Sequence, residues 1–208
     1  MKQPNTRLAA LTIAIVLAKL LPGTPALAGE VNGLKTAEAF ESIEPAEARS
    51  VAIFEEMAKV ITHPRCMNCH PVNTGPLQGD EQKPHSPPVP RTEDNFGVVA
   101  MRCTTCHGDE NQPFLGESGS VPGNGHWQLA PVSMGWIGLT VPEICAQLKD
   151  PERNGGRSLE EVAHHMGDDT LVGWAWTPGE GRTPAPGTWE AFAELAENWI
   201  ETGAACPG

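Results

Sequence analysis

Two clusters hold most of the chemistry this chain can do: Cys66-Met-Asn-Cys69-His70 and Cys103-Thr-Thr-Cys106-His107. Each reads C-x-x-C-H, the spacing that attaches haem c. Two thiols three positions apart on one helical turn reach the two vinyl groups of one porphyrin. The histidine that follows is then delivered to the iron. The expected cofactors are therefore two haem c, held by thioethers from Cys66 and Cys69 and from Cys103 and Cys106. His70 and His107 are the expected proximal iron ligands. A zinc ribbon also uses C-x-x-C pairs, but does not need a histidine directly after the second cysteine in both copies. A thioredoxin-type site expects a βαβ setting that the sequence lacks. Structural disulfides would suit an exported chain but leave the repeated histidine unexplained.

The second axial ligand sets the potential and decides whether an iron position stays open. Histidine candidates are His63, His85, His126, His164 and His165. His85 lies in a flexible Pro-rich stretch after the first motif and is expected as the distal ligand of haem 1. Met134, in the loop Pro131-Val-Ser-Met134-Gly135, is expected as the distal ligand of haem 2; its other reading is a gap-filling core methionine. On a helix over 159–166, Met166 shares the apolar face and His165 sits at its edge, while His164 points towards solvent. His165 is therefore the reserve distal ligand. The six tryptophans are expected to pack on haem or helices.

The elements that must position these groups are short. Val51, Phe54, Met57, Ala58 and Ile61 follow helical spacing, so a helix is expected over 45–62, ended by Pro64. Residues 71–90 carry six prolines and no periodicity, which reads as irregular, wrapping chain. Thr140-Val-Pro-Glu143 and Ser158-Leu-Glu-Glu161 are capping boxes that start two further helices. Thr188 caps a last helix carrying Phe192, Leu195 and Trp199 on one side and closed by Gly203. No strand longer than a few residues is expected. Cys145 and Cys206 lie outside the motifs, and in an oxidising compartment they are expected to pair as a disulfide.

Residues 1–28 read as a secretory signal peptide: Lys2 and Arg7, then the apolar run Leu8 to Ala18, then Ala26-Leu27-Ala28 before Gly29. The apolar run is short for a spanning helix, which needs about 18 residues. An exported, periplasmic protein follows, with residues 29–208 as a single domain and no membrane span after cleavage. The formal net charge is −12, and the leader holds cations but no acidic residue, so the remainder is more acidic still. Such a chain does not bind nucleic acid through phosphate contacts. A basic patch on a protein partner is the electrostatically sensible counterpart. Aromatics are only 5% and tyrosine is absent, which disfavours a parallel α/β core, and the 20 prolines and 22 glycines disfavour a fibrous or coiled-coil chain.

The wider pattern resembles a group of small bacterial dihaem c-type cytochromes labelled as subunits associated with isoquinoline 1-oxidoreductase-type molybdenum hydroxylases. The similarity rests on Cys66 to Leu77 with Gln78-Gly79-Asp80 and His85, on Trp127-Gln-Leu-Ala-Pro131 with Met134, and on Ile144 to Pro151 with Asn154-Gly-Gly-Arg157. Leu171-Val-Gly-Trp-Ala-Trp176 with Pro184-Ala-Pro-Gly187 completes it. The resemblance implies a periplasmic electron acceptor for a molybdenum enzyme whose catalytic part lies on another subunit. The second motif begins 37 residues after the first, too little chain for two independent haem domains. The expected fold is mainly α: a small, loop-rich, cytochrome c-like dihaem fold with short helices packed around two covalent haems. The expected function is electron transfer. A peroxidase-like dihaem enzyme with one open iron, and a haem-based gas sensor, are the alternatives.

Overall fold

Helix α1 spans Ala46–Ile61, with Pro45 in extended conformation as its N-cap. The computed structural model describes residues 29–113 and 119–208, so the expected leader, residues 1–28, lies outside the described residues. The expected face of α1 is buried at Phe54, Met57, Ala58 and Ile61, but Ile53 and Val60 are buried as well. Helix α1 is covered from several sides: by the C-terminal helix, by the 3-10 turn at Ala37–Phe40, by the helix at Val141–Leu148 and by a short hairpin (β1, Glu30–Val31; β2, Leu34–Lys35). Leu34 from that hairpin is fully buried. Glu56, on α1, is buried without being stranded: Oε1 accepts from the Lys35 amide at 2.8 Å and from Lys59 Nζ at 2.6 Å.

The polypeptide does not stop at Pro64. His63 becomes an N-cap and Pro64 the first residue of α2 (Pro64–Met67), so the first cysteine of the first motif sits on a helical turn. Proline is favoured at such a position because its missing N–H would be unpaired there anyway. The second motif forms its own turn, α3 (Cys103–Cys106), which holds both of its cysteines, whereas α2 ends before Cys69. Helices α4 (Val141–Leu148) and α5 (Leu159–Asp168) start at the two capping boxes, both fully formed. The short α6 (Thr170–Gly173) leads into α7 (Trp189–Glu201), capped by Thr188 as expected.

Helix α7 lies between α1 and α5 and organises the core. Trp199 is fully buried and meets Phe54 of α1 with ring centres 5.1 Å apart. Buried Ser50 of α1 donates to the Trp199 carbonyl at 3.0 Å and accepts from the Ala205 amide at 2.8 Å. Cys145 of α4 and Cys206 are disulfide-bonded, with Cα atoms 5.6 Å apart, which ties the chain end to α4. The strands among the described residues form three two-residue hairpins. One of them (β3, Leu77–Gln78; β4, Lys83–Pro84) lies inside the Pro-rich stretch, which is therefore more ordered than its composition implies. Among the described residues no helix is long and apolar enough to cross a membrane.

Candidate functional site

The two C-x-x-C-H motifs have the same local architecture. In the first, His70 Nδ1 lies 2.7 Å from the Met134 carbonyl, and Trp136 stacks on the imidazole at 3.5 Å with 9° between planes. In the second, His107 Nδ1 lies 2.7 Å from the Pro122 carbonyl, and Trp127 stacks at 4.7 Å with 12° between planes. A carbonyl can only accept, so Nδ1 carries the proton in both rings and Nε2 keeps its lone pair. Fixing one imidazole nitrogen in this way is how proteins orient the other towards a metal.

Each carbonyl is brought up by a glycine that follows it. A Cβ on Gly135 would stand 2.8 Å from Val72 Cα, just beyond His70. A Cβ on Gly123 would stand 2.1 Å from the Glu110 carbonyl oxygen, just beyond His107. Only glycine lets these loops close onto the backbone behind the motifs. The pattern carbonyl, glycine, stacked tryptophan is the element that motif reading missed. Its trace in the sequence is Met134-Gly135-Trp136 and Pro122-Gly123 followed by Trp127.

A cavity of about 570 Å³ adjoins both motifs. Cys69, Cys103, Cys106, His107 and His85 line it, whereas Cys66 and His70 do not. The volume falls in the usual range for cofactor sites, roughly 300–1,000 Å³. Arg65, Arg102 and Arg182 stand in its wall together with Glu180, and Arg65 and Arg102 are paired with Asp80 and Asp94. Arg65 is buried and pairs with Asp80 through one end of its guanidinium, while its Nε has no hydrogen-bond partner among the described residues. Asn68 Oδ1, in the same wall, is also buried and unpartnered. A buried N–H without a partner costs roughly 1–3 kcal/mol, so an anionic ligand group at this wall would remove a real penalty. Haem, with its two carboxylates, fits the Arg65 donor and this volume, while Asn68 Oδ1 is an acceptor and gains nothing from a carboxylate. A larger, more open groove of about 1130 Å³ runs past Trp174, Trp176 and Trp189 and includes no motif cysteine or motif histidine.

Cys66, Cys69 and Cys103 are not activated. Cys66 and Cys69 keep some accessible surface, yet the dense surroundings push them up to about 12 and about 11, chiefly by burial. Burial also raises Cys103. Thiol–disulfide catalysts need the reverse, a lowered value that supplies thiolate. Among the described residues no three His, Cys, Asp or Glu side chains converge on a metal cage. A haem iron would need only one or two protein ligands and not such a cage.

Met134 does not face the second motif. Its carbonyl serves His70 and its buried side chain points towards Gly155, where the sulfur would lie 3.9 Å from an added Cβ. Gln147 Nε2 holds this loop at the Ser133 and Gly135 carbonyls, at 2.6 and 3.3 Å. The methionine in a Pro/Gly loop thus belongs behind the first motif, opposite to its expected place at haem 2. His85 is also displaced from expectation: it lies beside His107, with ring centres 6.0 Å apart.

His164 is exposed and His165 half-buried, as the helical geometry of α5 requires. His165 Nδ1 is 3.1 Å from Asp169 Oδ2, and His126 Nε2 is 2.8 Å from Asp169 Oδ1. Asp169 also caps α6, accepting from the Leu171 amide at 2.8 Å. Hydrogen bonding, chiefly from His165, holds its carboxyl well below the ordinary value. The stabilisation is thus complete above the usual 3.8 and is lost as pH falls below it. Asp169→Ala is expected to cost about 1–2 kcal/mol, mostly the cap, and to flatten the acid limb of the stability profile in urea titrations. Asp169→Asn should recover the capping share alone.

No protein-family model, no curated protein and no solved structure matches this chain.

Proposed function

We propose that the chain is an exported, periplasmic electron-transfer protein carrying two covalently bound haem c, with no substrate of its own. It would relay electrons from a dehydrogenase or molybdenum hydroxylase partner to a later carrier. Bound haem supplies one-electron chemistry. The protein supplies attachment through Cys66, Cys69, Cys103 and Cys106, and iron ligation through His70 and His107.

The observation that carries this reading is the duplicated environment of the motif histidines. Each has Nδ1 on a loop carbonyl, a tryptophan on its face and, among the described residues, no hydrogen-bond partner on Nε2. Such treatment of two distant histidines makes sense for two metal ligands and has no role in a disulfide, and the histidine directly after the second cysteine in both motifs favours haem iron over zinc. The unpartnered Arg65 Nε in the cavity wall supports an anionic cofactor independently. The two motif turns share a cavity wall at Cys69, Cys103 and Cys106, so two haems anchored there would be near neighbours. The acidic surface would then select a basic face on the partner.

Expression in a host with haem-ligation machinery should give a red protein whose intact mass exceeds the peptide by two haems. Cys66→Ala/Cys69→Ala and Cys103→Ala/Cys106→Ala should each retain one. A colourless protein of bare peptide mass rejects the proposal. Rapid peroxide turnover at a high-spin iron would favour the enzyme alternative instead.

A further inference from the structure

We propose that His85 and His107 are the two axial ligands of one iron, that of the haem anchored by Cys103 and Cys106. The segment between the motifs then closes over the second haem and not the first. The inference rests on the dihaem reading and adds to it the ligand set of one centre.

Distance is the first argument. Two imidazoles on opposite sides of one ion, each nitrogen about 2 Å from it, have ring centres about 6 Å apart. The His85 and His107 ring centres are 6.0 Å apart, inclined at 59°. The second argument is protonation. His85 Nδ1 lies 2.8 Å from the Pro87 carbonyl, as His107 Nδ1 lies 2.7 Å from that of Pro122. Both rings therefore carry the proton on Nδ1 and present the lone pair on Nε2. Thirdly, both rings line the one cavity that also holds Cys103 and Cys106.

The fold also explains how His85 gets there. The hairpin of β3 and β4 leaves the first motif with the Leu77 amide on the Asn68 carbonyl at 3.1 Å. It ends with the His85 amide on the Pro76 carbonyl at 3.1 Å, and Gln78 Oε1 takes the Ser86 amide at 2.9 Å. Pro84, Pro87 and Pro88 restrict the backbone on either side. The histidine is held at the end of a short clamped arm, so little ordering entropy is spent on ligation. His70, by contrast, does not line this cavity.

A His/His centre has a lower potential than a His/Met centre, so the second haem would be the weaker oxidant of any His/Met haem beside it. The test uses the full haem-loaded protein, with haem number read from intact mass. Near-infrared magnetic circular dichroism and electron paramagnetic resonance report the ligands. The wild type should show a His/His signature. With Cys66→Ala/Cys69→Ala, the remaining haem should keep it. Adding His85→Ala should turn that haem high-spin, and free imidazole should restore low spin. With Cys103→Ala/Cys106→Ala, His85→Ala should leave the remaining haem unchanged. His85→Met in the intact protein gives a second reading, a new sulfur-to-iron band and a raised potential at one haem. Two haems without any His/His signature, or a His85 effect on the first haem, overturn the ligand assignment while leaving the dihaem reading standing. A protein without haem overturns both.

Discussion

Trp199→Ala is expected to lower the stability of the folded chain by about 4 kcal/mol, the range for emptying an aromatic site in a closed core. The side chain has no accessible surface, lies 5.1 Å from the Phe54 ring and donates from Nε1 to the Ala205 carbonyl at 2.9 Å. Removing it breaks the junction of α1, α7 and the C-terminal turn at one point. Ser50, fully buried beside it, bridges the same two segments and would lose its register. Against a typical total of roughly 5–15 kcal/mol, a loss of this size approaches unfolding. Trp199→Phe keeps most of the apolar contact and forfeits the hydrogen bond, so about 1 kcal/mol beyond the lost volume is expected. Urea unfolding of both variants gives the comparison, with the midpoint falling and the slope unchanged.

Breaking the Cys145–Cys206 bond is the second large effect. The bridge closes a loop with sequence separation 61, for which the chain-entropy model gives about 4 kcal/mol. Cys145 is fully buried and Cys206 packs against the same cluster. A Cys145→Ser/Cys206→Ser pair therefore adds the burial of a hydroxyl to the lost constraint. Cys145→Ala/Cys206→Ala separates the two, since alanine removes the bridge without burying a polar atom. The alanine pair should lose about 4 kcal/mol, and the serine pair more. Reduction of the unmodified protein should match the alanine pair. Equal stability of oxidised and reduced protein would show that the bridge constrains nothing. The Lys149 ammonium on the Ala204 carbonyl, at 2.7 Å, is a separate tie between the same segments.

Both effects concern the part of the molecule that was easiest to read. The caps at Thr140, Ser158 and Thr188 are local: each hydroxyl serves an amide three residues on, so a short string of residues contains the whole interaction. The apolar stripe of α7 is legible for the same reason. The buried surface of α1 is wider than its expected stripe, with Ile53 and Val60 buried as well, because the helix is covered from several sides and periodicity within one helix does not reveal how many neighbours it has. Pro64 was read as a stop and is a start, since a proline after a helix and a proline opening the next look alike in one dimension.

The candidate site divides along the same line. Residue type and spacing alone determined the two C-x-x-C-H motifs, the charge, the leader-like start and the cysteine pair left over. Each of these is written in neighbouring residues or in simple counts. Which groups stand around the motif histidines was decided only by tertiary structure. Met134 went behind His70 and His85 beside His107 because glycines at 135 and 123 let loops close on backbone, and because a two-strand arm carries His85 across the cavity. A ligand contributed from a loop depends on where that loop is anchored, and the anchors here are backbone carbonyls and amides that every sequence shares.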